Sequence, residues 1–191
     1  KVFNAYTFTN LDFAIWQSLR KLDASYPDGS ILASRKNWQD SLNELSAAIS
    51  AIGNPEAAEI AVDILETESL DHQPMDTLIA GVAVAGNASQ LGRVVRAMLE
   101  SDPSALTAAR VKPLLDRTLR DRTIPDNVGG ALADFCSKDQ LPLQAERLRV
   151  IAKIAVVWKV SQLEASLLKT LEETDGDEQQ HVIDALAAFD S

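Results

Sequence analysis

Two histidines, one cysteine and three tryptophans are the side chains best suited to chemistry in this 191-residue chain. Their spacing assembles no catalytic constellation. His72 follows Asp71 in an inter-helix turn, and His181 comes after Asp177 and Glu178 near the end of the sequence. A metal site needs several ligands brought close by local spacing, such as two histidines one helical turn apart, and this pair has no such relation. Both histidines therefore read as surface residues. Cys136 follows Phe135. A nucleophilic thiol needs a base beside it, and none is identifiable, so Cys136 reads as a small near-core thiol. The Gly81–Asn87 run, GVAVAGN, is Gly-rich but lacks both a Gly-Lys-Ser/Thr phosphate loop and GxGxxG spacing, so it reads as a tightly packed helix end. Trp38 and Trp158 are potential stacking platforms for nucleic-acid bases. Trp38 falls on an apolar stripe, however, whereas Trp158 stands beside Lys159 at an expected turn. No catalytic residue, metal ligand or cofactor is expected, and the chain reads as a non-enzyme.

Charge is the second source of function. Twenty-eight acidic residues outnumber eighteen basic ones, a net −10 that disfavours general binding to nucleic acid or anionic membranes. The charges are also segregated. Residues 51–92 hold seven acids and no Lys or Arg, while residues 93–159 hold twelve basic residues against eight acids. Glu59, Asp63 and Glu66 fall on one helical face, a candidate surface for a basic peptide. Arg117 and Lys153 stand one repeat apart. With Arg110, Arg120 and Arg147 they form a candidate basic ridge for an acidic partner segment. The competing reading of both patches is a solvated helix face with i,i+4 ion pairs.

These residues must be positioned by helices. Aromatics make up only 5 % of the chain, and Ala and Leu are abundant, which favours helix over sheet. Residues 1–10 read as extended, Leu11 to Leu22 as an amphipathic helix capped by Asn10, and Asp23–Ser34 as a loop around a Tyr-Pro-Asp-Gly turn. From Ser34 the chain alternates helix, short turn, helix. Trp38, Leu42, Leu45, Ile49 and Ile52 line the first long helix. Asn54 caps the next, with Pro55 at its first position, where a missing N–H costs nothing. Asn87 with Gln90, and Ser161 with Glu164, have capping-box spacing, and Asp102-Pro103 and Pro125-Asp126 are further start signals.

Two columns of apolar residues share one period. Leu65, Leu99, Phe135 and Leu171 recur in second helices at steps of 34, 36 and 36 residues. Leu45, Ile79, Leu115 and Ile151, with Ile49, Ala83, Leu119 and Ala155, recur in first helices at the same steps. Such a period fits helix-pair solenoids, in which each pair buries its apolar stripe only against a stacked neighbour. The third pair is the weakest copy, with Asn127 at an apolar position. Between Leu143 and Glu173 there is no Gly or Pro, so one long helix is the alternative there. Ile183, Leu186 and Ala187 belong to one more helix of the first type. A non-repeating helical bundle is the competing arrangement.

The Ile52–Leu65 stretch, IGNPEAAEIAVDIL, and its echo AGNASQLGRVVRAML at Ala85–Leu99 resemble the short HEAT-like repeats of phycobilisome-lyase-type helical arrays. The resemblance covers about three quarters of the chain, most closely at Ile52–Leu65; in the pairs at 105–138 and 144–173 it extends to apolar register alone. It implies an all-α, right-handed α-α superhelix, a short solenoid of about four helix pairs plus capping helices, and usually a protein-binding scaffold. Some arrays of this build process DNA, so a nucleic-acid or DNA-processing role for the basic 93–159 region is the alternative.

The expected organisation is one helical repeat domain over 1–191: an N-terminal cap and loop at 1–33, helix pairs at 34–174 and a capping helix at 175–191. The expected function is a non-enzymatic scaffold that presents its second helices to a protein partner. A single cysteine rules out an internal disulfide framework, and no apolar run is long enough to span a membrane, which fits a cytoplasmic protein. A chain beginning at Lys1 reads as processed or as part of a larger protein.

Overall fold

The computed structural model describes residues 17, 21, 45, 48–49, 51–101, 106–138, 145–173, 175–187 and 189. The expected extended segment at 1–10, the Asp23–Ser34 loop, Trp38, Leu42 and the Asp102-Pro103 start signal lie outside them. Among the described residues the fold is all-helical, with no strand. The chain packs as two compact units, Lys1–Gln90 and Leu91–Ser191.

In the first unit, Leu45, Ile49 and Ile52 are helical, and the helix gives way at Gly53, whose φ of 58° takes the left-handed conformation a glycine tolerates best. The Gly53 N–H donates to Ile49 O at 3.0 Å. Asn54 then caps α1 (Pro55–Thr67), its Oδ1 accepting from the Ala57 N–H at 2.8 Å, with Pro55 at the first position. The expected Asn54 cap and Pro55 start are therefore formed. The inner face of α1 carries Ala57, Ala61, Val62, Ile64 and Leu65, and packs on α2 (His72–Ala85) through Leu78, Ile79 and Val82. α2 closes where the Gly86 N–H meets Val82 O at 2.7 Å. A Cβ on Gly86 would sit 2.7 Å from that same oxygen, so the Gly-rich run is a crowded helix end.

The capping box that opens α3 (Ala88–Ser101) is reciprocal. Gln90 N–H donates to Asn87 Oδ1 at 2.9 Å, and Asn87 N–H donates to Gln90 Oε1 at 3.0 Å. The buried Gln90 amide also donates to Pro55 O and to Glu59 Oε2, so the cap of α3 is tied to the start of α1.

The second unit contains α4 (Ala108–Asp121), α5 (Gly129–Lys138), α6 (Ala145–Trp158), α7 (Glu164–Glu173) and α8 (Gly176–Ala187). Helices of like rank stack: α4 on α6, α6 on α8, and α5 on α7. That is the packing of a short helical solenoid. Leu91, Val94, Val95, Leu106, Leu114, Leu132, Leu148, Ile151, Ile154, Leu163 and Leu167 form its core.

Two expectations are corrected in this unit. Leu115 and Leu119 were expected inward on α4, but Leu114 is fully buried and Leu119 is 59 % exposed. The helix buries Val111, Leu114 and Thr118, one step round from the Leu115–Leu119 stripe. Thr118 can take that place because its polar group is satisfied. It donates to Thr123 O at 2.7 Å and accepts from the Trp158 indole N–H at 3.0 Å. The next second helix slips in the same way: Asn127 is exposed in the preceding turn at φ 55°, and Val128, Leu132 and Phe135 fill the core. Ile183, Leu186 and Ala187 belong to the closing helix α8, as expected, and its buried residues are Val182 and Ala185.

Within the stretch that has no Gly or Pro, the described residues 145–173 form two helices. Lys159 adopts φ 51°, Val160 N–H reaches back to Ala155 O, and a 3-10 turn at Ser161–Leu163 leads into α7. This is a Schellman-type stop built on lysine. Ser161 lies in that turn, and no Ser161–Glu164 side-chain hydrogen bond is present among the described residues.

Candidate functional site

The exposed faces of α4 and α6 carry apolar side chains beside an open groove. A face turned to water is expected to be polar, yet Leu119 on α4 and Val156 on α6 are exposed, with Leu115 and Val157 half-buried beside them. Between the helices lies an open groove of about 290 Å³. Its floor is the buried pair Val111 and Val150, and its walls are Leu115, Leu119 and Val157. Lys112 and Asp116 on α4 and Lys153 on α6 form the rim. The register slip of α4 creates this groove, because turning Thr118 inward turns Leu115 and Leu119 out.

The rim is electropositive. Lys112 is paired with Asp116, one turn along α4. Arg117 Nε lies 3.0 Å from Asp121 Oδ2, and Arg120 approaches the same oxygen at 3.5 Å. Desolvation raises the Asp121 pKa, but the Thr123 hydroxyl, Arg117, the Thr123 backbone N–H and Arg120 together outweigh it and hold the carboxyl below its ordinary value. On α6, Arg149 and Lys153 are exposed, and neither has an ion-pair partner among the described residues.

The expected basic ridge is thus only partly drawn together. Lys153 lines the groove and Arg120 is exposed near the end of α4. Arg117 is mostly covered, Arg147 is half-buried and Arg110 is buried, so their guanidinium groups are not presented alike. Arg149 lies outside the expected ridge, and its spacing of four from Lys153 puts both on one face of α6. On α1, Glu59 and Asp63 are half-buried and Glu66 is exposed; Glu59 is engaged by the Gln90 amide at 2.7 Å. Lys153 and Arg120 belong to the second unit and the acidic stripe to the first.

The chemistry-bearing residues are scattered. His72 begins α2 and is exposed, His181 is half-buried in α8, and Cys136 is buried in α5. No group of three or more potential metal ligands occurs among the described residues. Trp158 is buried with its indole N–H on Thr118, which removes it as a stacking platform. No helix among the described residues is long and apolar enough to cross a membrane. In comparisons with known proteins, the chain matches no family model, no curated protein and no solved structure.

Proposed function

We propose that the chain is a non-enzymatic protein-interaction module of the short HEAT-like helical-repeat kind, acting in the cytoplasm. The observation that carries this reading is the α4–α6 groove, where apolar side chains face water on a rigid, stacked pair of helices. Exposing Leu119 while Thr118 is buried runs against solubility, so it is best accounted for by a partner that covers it. The stacking of like-ranked helices supports the repeat assignment and holds the surface in place. The groove lies on first helices, which moves the proposed contact surface away from the second helices.

A nucleic-acid or DNA-processing role through residues 93–159 has less support. It needs a basic channel with exposed aromatic platforms, and Trp158 is buried. The test is affinity capture by the full chain from its source lysate. A captured protein, once purified, should rebind the chain directly with defined stoichiometry. Capture of nucleic acid alone, or turnover of a small molecule without any protein partner, refutes the proposal.

A further inference from the structure

We infer that the α4–α6 groove receives an acidic amphipathic helix, one that seats apolar side chains on Leu115, Leu119 and Val157 and sets Asp or Glu against Arg149 and Lys153. The inference rests on the interaction-module reading and names the chemistry of its partner.

Three observations select this occupant. First, the groove is open and apolar at about 290 Å³, at or below the smallest size typical of enclosed small-molecule sites. A trough between two packed helices instead accepts side chains from a helix laid along it, spaced i, i+3 or i+4. Second, the charge around it is positive on balance. α4 carries Arg110, Lys112, Arg117 and Arg120 against Asp116 and Asp121, and α6 carries Arg147, Arg149 and Lys153 against Glu146. The acids on α4 are already held: Asp116 by Lys112, and Asp121 by Arg117 and Arg120. On α6 the exposed Arg149, Lys153 and Glu146 have no ion-pair partner among the described residues, two cations against one acid, so the unmatched charge beside the groove is positive on balance. A basic helix would be repelled there, and an acidic one is steered in. Third, the apolar and cationic residues lie on one surface. Lys153 lines the groove together with Leu119 and Val157, so one ligand meets both kinds of group.

The test uses the full chain and three labelled peptides. One is a Glu-rich helix with leucines at i, i+4 and i+7; the second has Lys for every Glu; the third keeps Glu but has Ala for every Leu. Fluorescence anisotropy at low salt is expected to show saturable binding of the first peptide alone, weakened by added salt. Leu119→Ala should weaken it about tenfold, the share of one buried leucine. Lys153→Glu should weaken it about fivefold and reduce the salt dependence, as for an exposed ion pair. Both residues are exposed, so circular dichroism should show unchanged folding. Equal binding of the Lys peptide, binding indifferent to both substitutions, or no saturable binding overturns the inference. So does preferential binding of duplex DNA in the same assay. If a purified protein partner still binds Leu119→Ala and Lys153→Glu with wild-type affinity, the groove assignment fails while the interaction-module reading stands.

Discussion

Leu114 and Leu119 sit five residues apart on α4 and swap the roles their spacing suggests, so a paired truncation tests the register directly. Leu114 is fully buried between α4 and the helices it meets, while Leu119 is 59 % exposed. Leu114→Ala removes apolar contacts and leaves a cavity that a close-packed neighbour such as α6 fills only in part, at a cost of about 2–5 kcal/mol. Taking about 3 kcal/mol as a midpoint, a chain of this length should lose about 6–12 °C in Tm. Leu119→Ala removes little buried area and places the best helix former on an exposed turn, so it should change stability by less than about 0.5 kcal/mol. Thermal unfolding followed by circular dichroism gives the size of each effect. Amide exchange in α4 and α6 localises it, which matters because the two compact units need not unfold together. If Leu119→Ala costs more than Leu114→Ala, α4 is turned as its leucine stripe implies, and the groove does not exist.

Gly92→Ala should destabilise the second unit by about 1–3 kcal/mol, because a Cβ there would meet Asp126 O at 2.0 Å and the loop backbone must shift; urea titration reads this directly. Lys159→Gly should raise stability by up to about 1 kcal/mol, since φ 51° strains a side-chain-bearing residue, while Lys159→Val should lower it. Midpoints in the same titration should order the three variants Gly, Lys, Val. The depressed Asp121 pKa makes its contacts with Arg117, Arg120 and Thr123 stabilising at neutral pH, with that contribution lost as pH falls through and below the ordinary aspartate range. Amide exchange at Arg122 and Thr123 should therefore lose protection at acid pH in the wild type and change less in Asp121→Asn; equal profiles would refute this account.

The first unit was legible because its signals are local. Asn54 as a cap and Pro55 as a first helical position each act within one turn; Asn54 makes the expected bond and Pro55 stands where its missing N–H costs nothing. The Asn87–Gln90 box belongs to the same class. The third pair was misread by one residue because the decisive interactions are non-local. Nothing near Thr118 announces that an indole forty residues later will donate to it, and without that partner a threonine looks like surface next to Leu115 and Leu119. The stop at Lys159 was hidden for a related reason: a left-handed lysine carries no compositional mark. Arg122, at φ 64°, ends α4 in the same manner.

The same slip explains why charge alone pointed to a ridge that is only half presented. Counting along the sequence put Arg117 and Lys153 one repeat apart and assumed that both helices face alike. A one-residue step turns a helix by about a quarter of its circumference. On α4 that turn covers Arg110 and most of Arg117 and brings out Leu119, while α6 keeps Arg149 and Lys153 in the open. The two helices therefore contribute different things to one surface, apolar contact mainly from α4 and free positive charge from α6. An ideal repeat would have placed like over like and left a uniform charged face. The irregular copy makes an amphipathic one, and a surface with both components can discriminate by sequence, because a ligand must match a leucine spacing and a sign of charge together.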